Sequence, residues 1–200
     1  VRCLAQLGIA MVVGEDEVEV VGVGLRGLRT PMNDLDCGNS GNTIRFLTGA
    51  LAGTPDVDSR LVGDESLSRR PMRRVATPLA ILGADVRVSA NGTPPVVVHG
   101  RQLWGDFVRI DVPSAQVKTA VLLAAIQAEG VTTVAESTLT RDHTERLLRQ
   151  LGVDVRLGDA ITLHPPTRIE GFNLAVPGDP SSAAFWAVLA AVHPDSDLRV

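Results

Sequence analysis

Apolar and polar positions along this chain change period in a regular order, and the order repeats. Over residues 108–112 β-branched side chains dominate, which predicts a strand. Residues 114–128 are apolar on nearly every face of a helical wheel, so they predict a helix buried all round. A second strand is expected over 131–135. Leu147, Leu148 and Leu151 then form the stripe of an amphipathic helix, with Asp142 and Glu145 at the spacing of a capping box and Gly152 as its C-terminal stop. Residues 153–157 and 160–163 close the series as a strand pair around Gly158-Asp159.

The same series occurs earlier. DCGNSGNTIRFLTGALAG and SRLVGDESLSRRPMRRVATPLAILGADVRV match DVPSAQVKTAVLLAAIQAEG and TTVAESTLTRDHTERLLRQLGVDVRL, with Asp36 opposite Asp111, Ser68 opposite Thr140 and Gly83 opposite Gly152. Each copy reads strand, helix, strand, helix, strand, strand. In the first copy the second helix is expected to begin near Pro71, and Asn91-Gly92 supplies the turn. A third copy begins at AVPGDPSSAAFWAVLAAVHPDSDLRV, and the residues before the first copy supply a helix and a strand over 18–23. The chain opens without methionine inside a helical pattern, and it stops over 197–200 where a strand is expected to start, so it reads as a fragment.

Composition narrows the class. Of 200 residues 44% are hydrophobic, only 3% are aromatic and none is Tyr, so the core must be built from Val, Leu, Ile and Ala, which suits close helix–sheet packing. A formal charge of -4 argues against nucleic acid, which demands a basic footprint. The longest apolar runs, 119–128 and 183–192, fall short of the roughly 18 residues of a membrane span and read as buried helices. Cys3 and Cys37 have neither metal spacing nor a disulfide framework, which fits a reducing cytoplasm. Gly22, Gly24 and Gly27 match G-x-G-x-x-G, but the Leu-Arg-Thr-Pro that follows is a poor helix start.

Candidate chemistry lies at the helix entrances. Asn39-Ser40-Gly41-Asn42, Ser114-Ala115-Gln116 and Ser181-Ser182 stand before the three apolar helices. Such residues are N-caps on one reading and an anion site on the other, because first-turn amides and the helix dipole favour phosphate or carboxylate. Repeat-equivalent positions would point the three N-termini at a shared mouth. Arg69, Arg70, Arg73 and Arg74 crowd one further helix start, and Arg141 stands at the equivalent place in the second copy. An arginine there is a solvated face or, since it opposes the dipole, the grip on an anion that offsets that cost. His143 lacks a nucleophile beside it, and Cys37 reads as a small core residue.

The blocks GNSGNTIR, GDESLSRRPM, PSAQVKTAVLLA, TRDHTERLL and VPGDPSSAAFW resemble, in order and spacing, those of the EPSP synthase family. The resemblance implies an α/β fold of repeated βαβαββ units, an inside-out α/β barrel, with helix N-termini facing the cleft between two domains. It implies that residues 1–175 are most of the first domain, with full units over 34–100 and 107–165, and that 176–200 are the crossover into the next. The implied reaction moves the enolpyruvyl group of phosphoenolpyruvate to the 5-hydroxyl of shikimate 3-phosphate, with no cofactor and no metal.

By the same resemblance, Asn39, Gly41, Arg70 and Gln116 hold phosphoenolpyruvate, with Arg45 in support. Ser114, Ala115, Gln116, Thr140 and Arg141 hold shikimate 3-phosphate. Asn42 departs from the family's usual threonine, and Gly41 leaves room for glyphosate. No catalytic residue is assigned within these positions, since the family's aspartate and glutamate belong to a C-terminal domain, the implied partner within one monomeric polypeptide. The rivals are a transferase acting on a UDP-sugar, which lacks the RRPM and SAQ blocks, and a non-catalytic or nucleic-acid-binding module of related repeat fold.

Overall fold

The structure, a computed structural model, describes residues 1–199. A first compact unit spans Val1–Glu170. It begins with α1 (Arg2–Gln6), β1 (Ala10–Val13) and β2 (Val18–Val21). The first repeat follows as β3 (Leu35–Asp36), α2 (Gly41–Ala52), β4 (Asp58–Val62), a 3-10 turn at Leu67–Arg69, α3 (Arg73–Ile81), β5 (Asp85–Arg87) and β6 (Val96–His99). The second is β7 (Phe107–Ile110), α4 (Ala115–Ala125), β8 (Thr132–Glu136), α5 (His143–Gln150), β9 (Asp154–Leu157) and β10 (Ile161–His164). Both have the predicted βαβαββ order.

The two sheets share one topology, β3-β4-β6-β5 and β7-β8-β10-β9. In each, the first helix makes the crossover that a parallel pair requires, so β3 runs parallel to β4 and β7 to β8. The last two strands return antiparallel. Alternation gives each sheet one apolar face: Val96 and Val98, Val108 and Ile110, Ile161 and Leu163 are buried while their neighbours are not. Gly83 and Gly152, at φ +87° and +81°, end α3 and α5 as expected, because the left-handed conformation there is strained for a residue with a Cβ.

Helices α2 and α4 form the most extensive helix–helix contact. A Cβ added at Gly49 of α2 would lie 2.1 Å from the Ala120 carbonyl oxygen of α4, so glycine is what lets the two backbones touch. Gln127 stitches the far ends together, donating to the carbonyls of Ala50 (2.8 Å) and Leu123 (3.1 Å). With their C-terminal ends joined and their middles in contact, α2 and α4 present their N-terminal ends side by side.

Several expectations are corrected. The capping box of α5 does not form: Asp142 accepts no amide proton and instead pairs with Arg146 (2.8 Å), while Glu145 turns inward to Lys118. Helix α3 starts two residues after Pro71, with Met72 as its N-cap, because the unforeseen 3-10 turn occupies the approach. Strand β1 pairs antiparallel with β2 and was missed, its four residues being too few to show a period.

The second unit, Gly171–Val200, contains α6 (Pro180–Val192). Asp179, not Ser181 or Ser182, caps it, accepting from the Ser181 amide at 2.9 Å. The expected burial of this helix is not found: none of its residues is buried and Phe185 is 81% exposed, since residues 171–199 supply no second element to cover it. Asp197–Arg199 form no strand, and Val200 lies outside the described residues.

Candidate functional site

At the α2 entrance, Ser40 is extended and its Oγ accepts the Thr43 amide at 3.1 Å. At the α4 entrance, Ser114 does the same for Val117 at 3.4 Å. Each cap satisfies a single amide and leaves the first-turn amides before it without an intrahelical acceptor. The capping and anion-binding readings are therefore compatible at both helices. Helix α6 belongs to the other unit.

The two entrances are wired together. Gln116 donates through Nε2 to Asn42 Oδ1 (2.5 Å) and accepts through Oε1 from Arg45 Nη1 (2.5 Å). Arg45 also donates to the Gly41 carbonyl at 3.2 Å. Asn42 thus does more than fill the usual threonine position, since its carbonyl orients Gln116.

Arg70 arrives from the 67–70 turn and donates to Asn39 Oδ1. The other end of that amide, Asn39 Nδ2, donates to Asp64 Oδ2 at 2.8 Å, and Asp64 Oδ1 accepts the Leu67 amide at 2.8 Å. These bonds hold the Asp64 carboxyl below its ordinary value. Asn39 and Asp64 therefore clamp the turn that carries Arg70. Sequence reading missed Asp64, although its place three residues before the turn's first residue is a familiar capping distance.

Positive charge accumulates around Gly41. A Cβ there would lie 2.5 Å from Arg45 Nη1 and 3.0 Å from Arg70 Nη1, so both guanidiniums cover the α2 entrance. Arg45 is only 3% exposed. Its burial, with the Arg74 and Arg70 guanidiniums nearby, lowers its pKa from the ordinary arginine value. The Nε atoms of Arg45 and Arg74 are buried without a hydrogen-bond partner among the described residues. Three crowded cations, two of them with an orphaned donor, are stabilised by an anion. Arg74 was seen in the sequence only as one of a crowd.

Thr140 and Arg141 lie in the 137–142 loop between β8 and α5. Thr140 Oγ1 donates to Glu136 Oε1 (2.5 Å), and its carbonyl accepts from Lys118 Nζ (3.4 Å), which ties the loop to α4. The Arg141 side chain is exposed and has no ion-pair partner among the described residues. Its neighbour His143 is exposed as well.

Cys3 and Cys37 are buried free thiols, donating to the Asp36 and Leu35 carbonyls. Burial, with Cys3 and Asp36 beside it, pushes the Cys37 thiol up to about 12. Its thiolate is then about one part in 10⁵ at pH 7. Both cysteines are expected to resist alkylation in the native protein and to react on unfolding, as mass spectrometry of iodoacetamide-treated samples would show.

No helix among the described residues is long and apolar enough to cross a membrane. The family model of EPSP synthase (3-phosphoshikimate 1-carboxyvinyltransferase) matches residues 1–200. A 3-phosphoshikimate 1-carboxyvinyltransferase of Synechococcus sp. (strain WH7803) is 49% identical over 205 residues, covering 99% of this chain and 47% of that protein. One from Limosilactobacillus fermentum is 50% identical over 202 residues, covering 100% and 46%. A solved structure of EPSP synthase from Acinetobacter baumannii superposes with a TM-score of 0.87 at 44% identity, covering 95% of this chain and 43% of that one. The chain spans about half the length of the curated relatives it matches. On the family match, the identities and the shared repeat fold, this chain belongs to the EPSP synthase family.

Proposed function

We propose that this chain is the substrate-gripping part of an enzyme that transfers the enolpyruvyl group of phosphoenolpyruvate to the 5-hydroxyl of shikimate 3-phosphate and releases phosphate. The observation that carries the reading is the Asn42–Gln116–Arg45 chain, which joins two capped helix N-termini under a group of arginines. Arg70 and Arg45, with Arg74 behind them, supply charge for the carboxylate and phosphate of phosphoenolpyruvate. The entrance of α4 and Arg141 do so for shikimate 3-phosphate. Gln116, between the two, faces both ligands. Each charged hydrogen bond is worth about 1.5–3 kcal/mol.

In the proposed reaction, the 5-hydroxyl gives up its proton to a base as its oxygen adds to C2 of phosphoenolpyruvate, while C3 takes a proton and becomes a methyl group. The tetrahedral intermediate then loses phosphate from C2 and a proton from C3, which restores the vinyl group. Residues of this chain hold both substrates in register, and their fixed dipoles stabilise the charge on the intermediate. Proton transfer is assigned to the C-terminal domain of the relatives, the proposed partner within one monomeric polypeptide. No cofactor takes part. The two buried thiols support a reducing, cytoplasmic setting.

The nucleic-acid alternative fares worse. Arg60, Arg69, Arg87, Arg109, Arg146, Arg156 and Arg168 are each paired with a carboxylate and the formal charge is -4, against the basic footprint that a phosphate backbone demands.

Phosphate release from the two substrates tests the proposal. The chain alone is expected to show no turnover, and a fusion that adds all the segments of the Synechococcus relative that this chain does not cover is expected to regain it. Turnover by the chain alone, or a folded but silent fusion, would count against it. Gly41→Ala is expected to fold, because its Cβ meets only the ends of two flexible side chains. It should weaken phosphoenolpyruvate and glyphosate binding by roughly tenfold in the fusion, the loss of one charged contact, read from KM and Ki.

A further inference from the structure

Beneath the Thr140–Arg141 loop lies a charged cluster that the proposed reaction does not use. Lys118, 1% exposed, places Nζ 2.9 Å from Glu136 Oε2 and 2.6 Å from Glu145 Oε1, and both carboxylates are buried. Its third proton reaches the Thr140 carbonyl at 3.4 Å, which uses every donor of the ammonium. Glu136 completes the circuit by accepting from the Thr140 hydroxyl at 2.5 Å. One buried cation thus joins α4, the end of β8, the 137–142 loop and the first turn of α5.

The repeat supplies an internal control. Counting from the N-caps Ser40 and Ser114, Lys118 corresponds to Ile44, and counting from Met72 and Asp142, Glu145 corresponds to Val75. In the sheets, buried Leu61 opposite Val96 matches buried Val134 opposite Ile161, so Glu136, two residues on, corresponds to Gly63. The first copy therefore folds with Ile44, Gly63 and Val75 where the second has a lysine and two glutamates, and Ile44 and Val75 are fully buried. This fold position does not require charge. A buried ion cluster is also no better for stability than well-packed apolar residues of similar volume. What distinguishes the second copy is its loop: none of residues 137–142 is buried, and Leu139 is 87% exposed, so no apolar side chain anchors it.

We propose that Lys118, Glu136 and Glu145 are positioning residues that fix the Thr140–Arg141 loop against the α4 entrance so that it meets the phosphate of shikimate 3-phosphate. The proposal rests on the functional reading above. With its proton engaged by Glu136, the Thr140 hydroxyl presents lone pairs to the ligand and accepts a hydrogen bond from a substrate hydroxyl, which leaves the phosphate to Arg141.

The test makes the cluster apolar, with Lys118→Ile and Glu145→Val transplanted from the first copy and Glu136→Val added, together in this chain. The variant is expected to keep its melting temperature but to bind shikimate 3-phosphate at least ~10-fold more weakly, the loss of one charged contact. In an Arg141→Ala background the same triple change should cause little further loss. Amide exchange should rise at 137–142 and not in α4 or β8. Unchanged affinity and unchanged exchange in a folded variant would overturn the proposal. If the triple variant does not fold, Glu136→Gln decides by the same two readouts. If the unmodified chain itself fails to bind shikimate 3-phosphate, the functional reading falls, and loop exchange alone then judges the positioning role.

Discussion

Gly49→Ala is expected to destabilise the protein by about 3 kcal/mol or more, the upper range of overpacking in a tight core. Two effects compete at this position. Alanine is the better helix former by about 1 kcal/mol, which favours the variant. The new methyl carbon, however, would sit 2.1 Å from the Ala120 carbonyl oxygen and 2.7 Å from its carbon. Those are backbone atoms of a helix buried on most of its surface, so no rotamer change relieves the overlap and the helices must separate. The clash therefore outweighs the propensity gain. A chain of this size loses about 2–4 °C of melting temperature per kcal/mol, so calorimetry should show a fall of roughly 6–12 °C or more. Gly22→Ala, with nothing within 4 Å, serves as the control and should change little. Because α2 and α4 separate in the variant, the Gln116–Arg45 bond between their entrances should also weaken, linking a packing defect to ligand binding.

Lys118→Met has an expected cost of about 3–5 kcal/mol, the range for removing one partner of a buried ion pair. The methionine packs well enough, but Glu136 and Glu145 then face each other without a cation. Glu145 Oε2 already lacks a partner, so the site has no spare donor to offer them. Thermal unfolding should reveal the loss directly. The contrast with the triple variant is the informative part: the single change strands two charges, whereas the triple change removes all three and is expected to be near neutral. Equal destabilisation by both would show that the charges themselves hold the fold.

The repeat was legible because both copies use the same punctuation. Glycines at 83 and 152, polar residues before apolar helices and alternating strands recur in register, and the structure returns them as two sheets of one topology. The capping box at Asp142 and Glu145 was misread because local spacing says nothing about Lys118, far away in sequence and closer in energy to Glu145 than the amide at the N-cap. Helix α6 was misread for a related reason: apolarity all round reports that a helix needs cover, not that its own unit supplies it. In the site, helix entrances and arginines were visible as residue types. The links were not. Asn39 to Asp64, Asn42 to Gln116 and Gln116 to Arg45 are tertiary hydrogen bonds, and three of their members have meaning only in pairs.

In the proposed function, two helix entrances and their arginines form an anion-binding surface that takes shikimate 3-phosphate. Isothermal titration of this chain with shikimate 3-phosphate tests that claim most directly. Binding to one site is expected, weakened at least ~10-fold in Arg141→Ala and in Ser114→Ala while both variants keep their fold by circular dichroism. No binding by the unmodified chain, or binding that both variants retain in full, would contradict it.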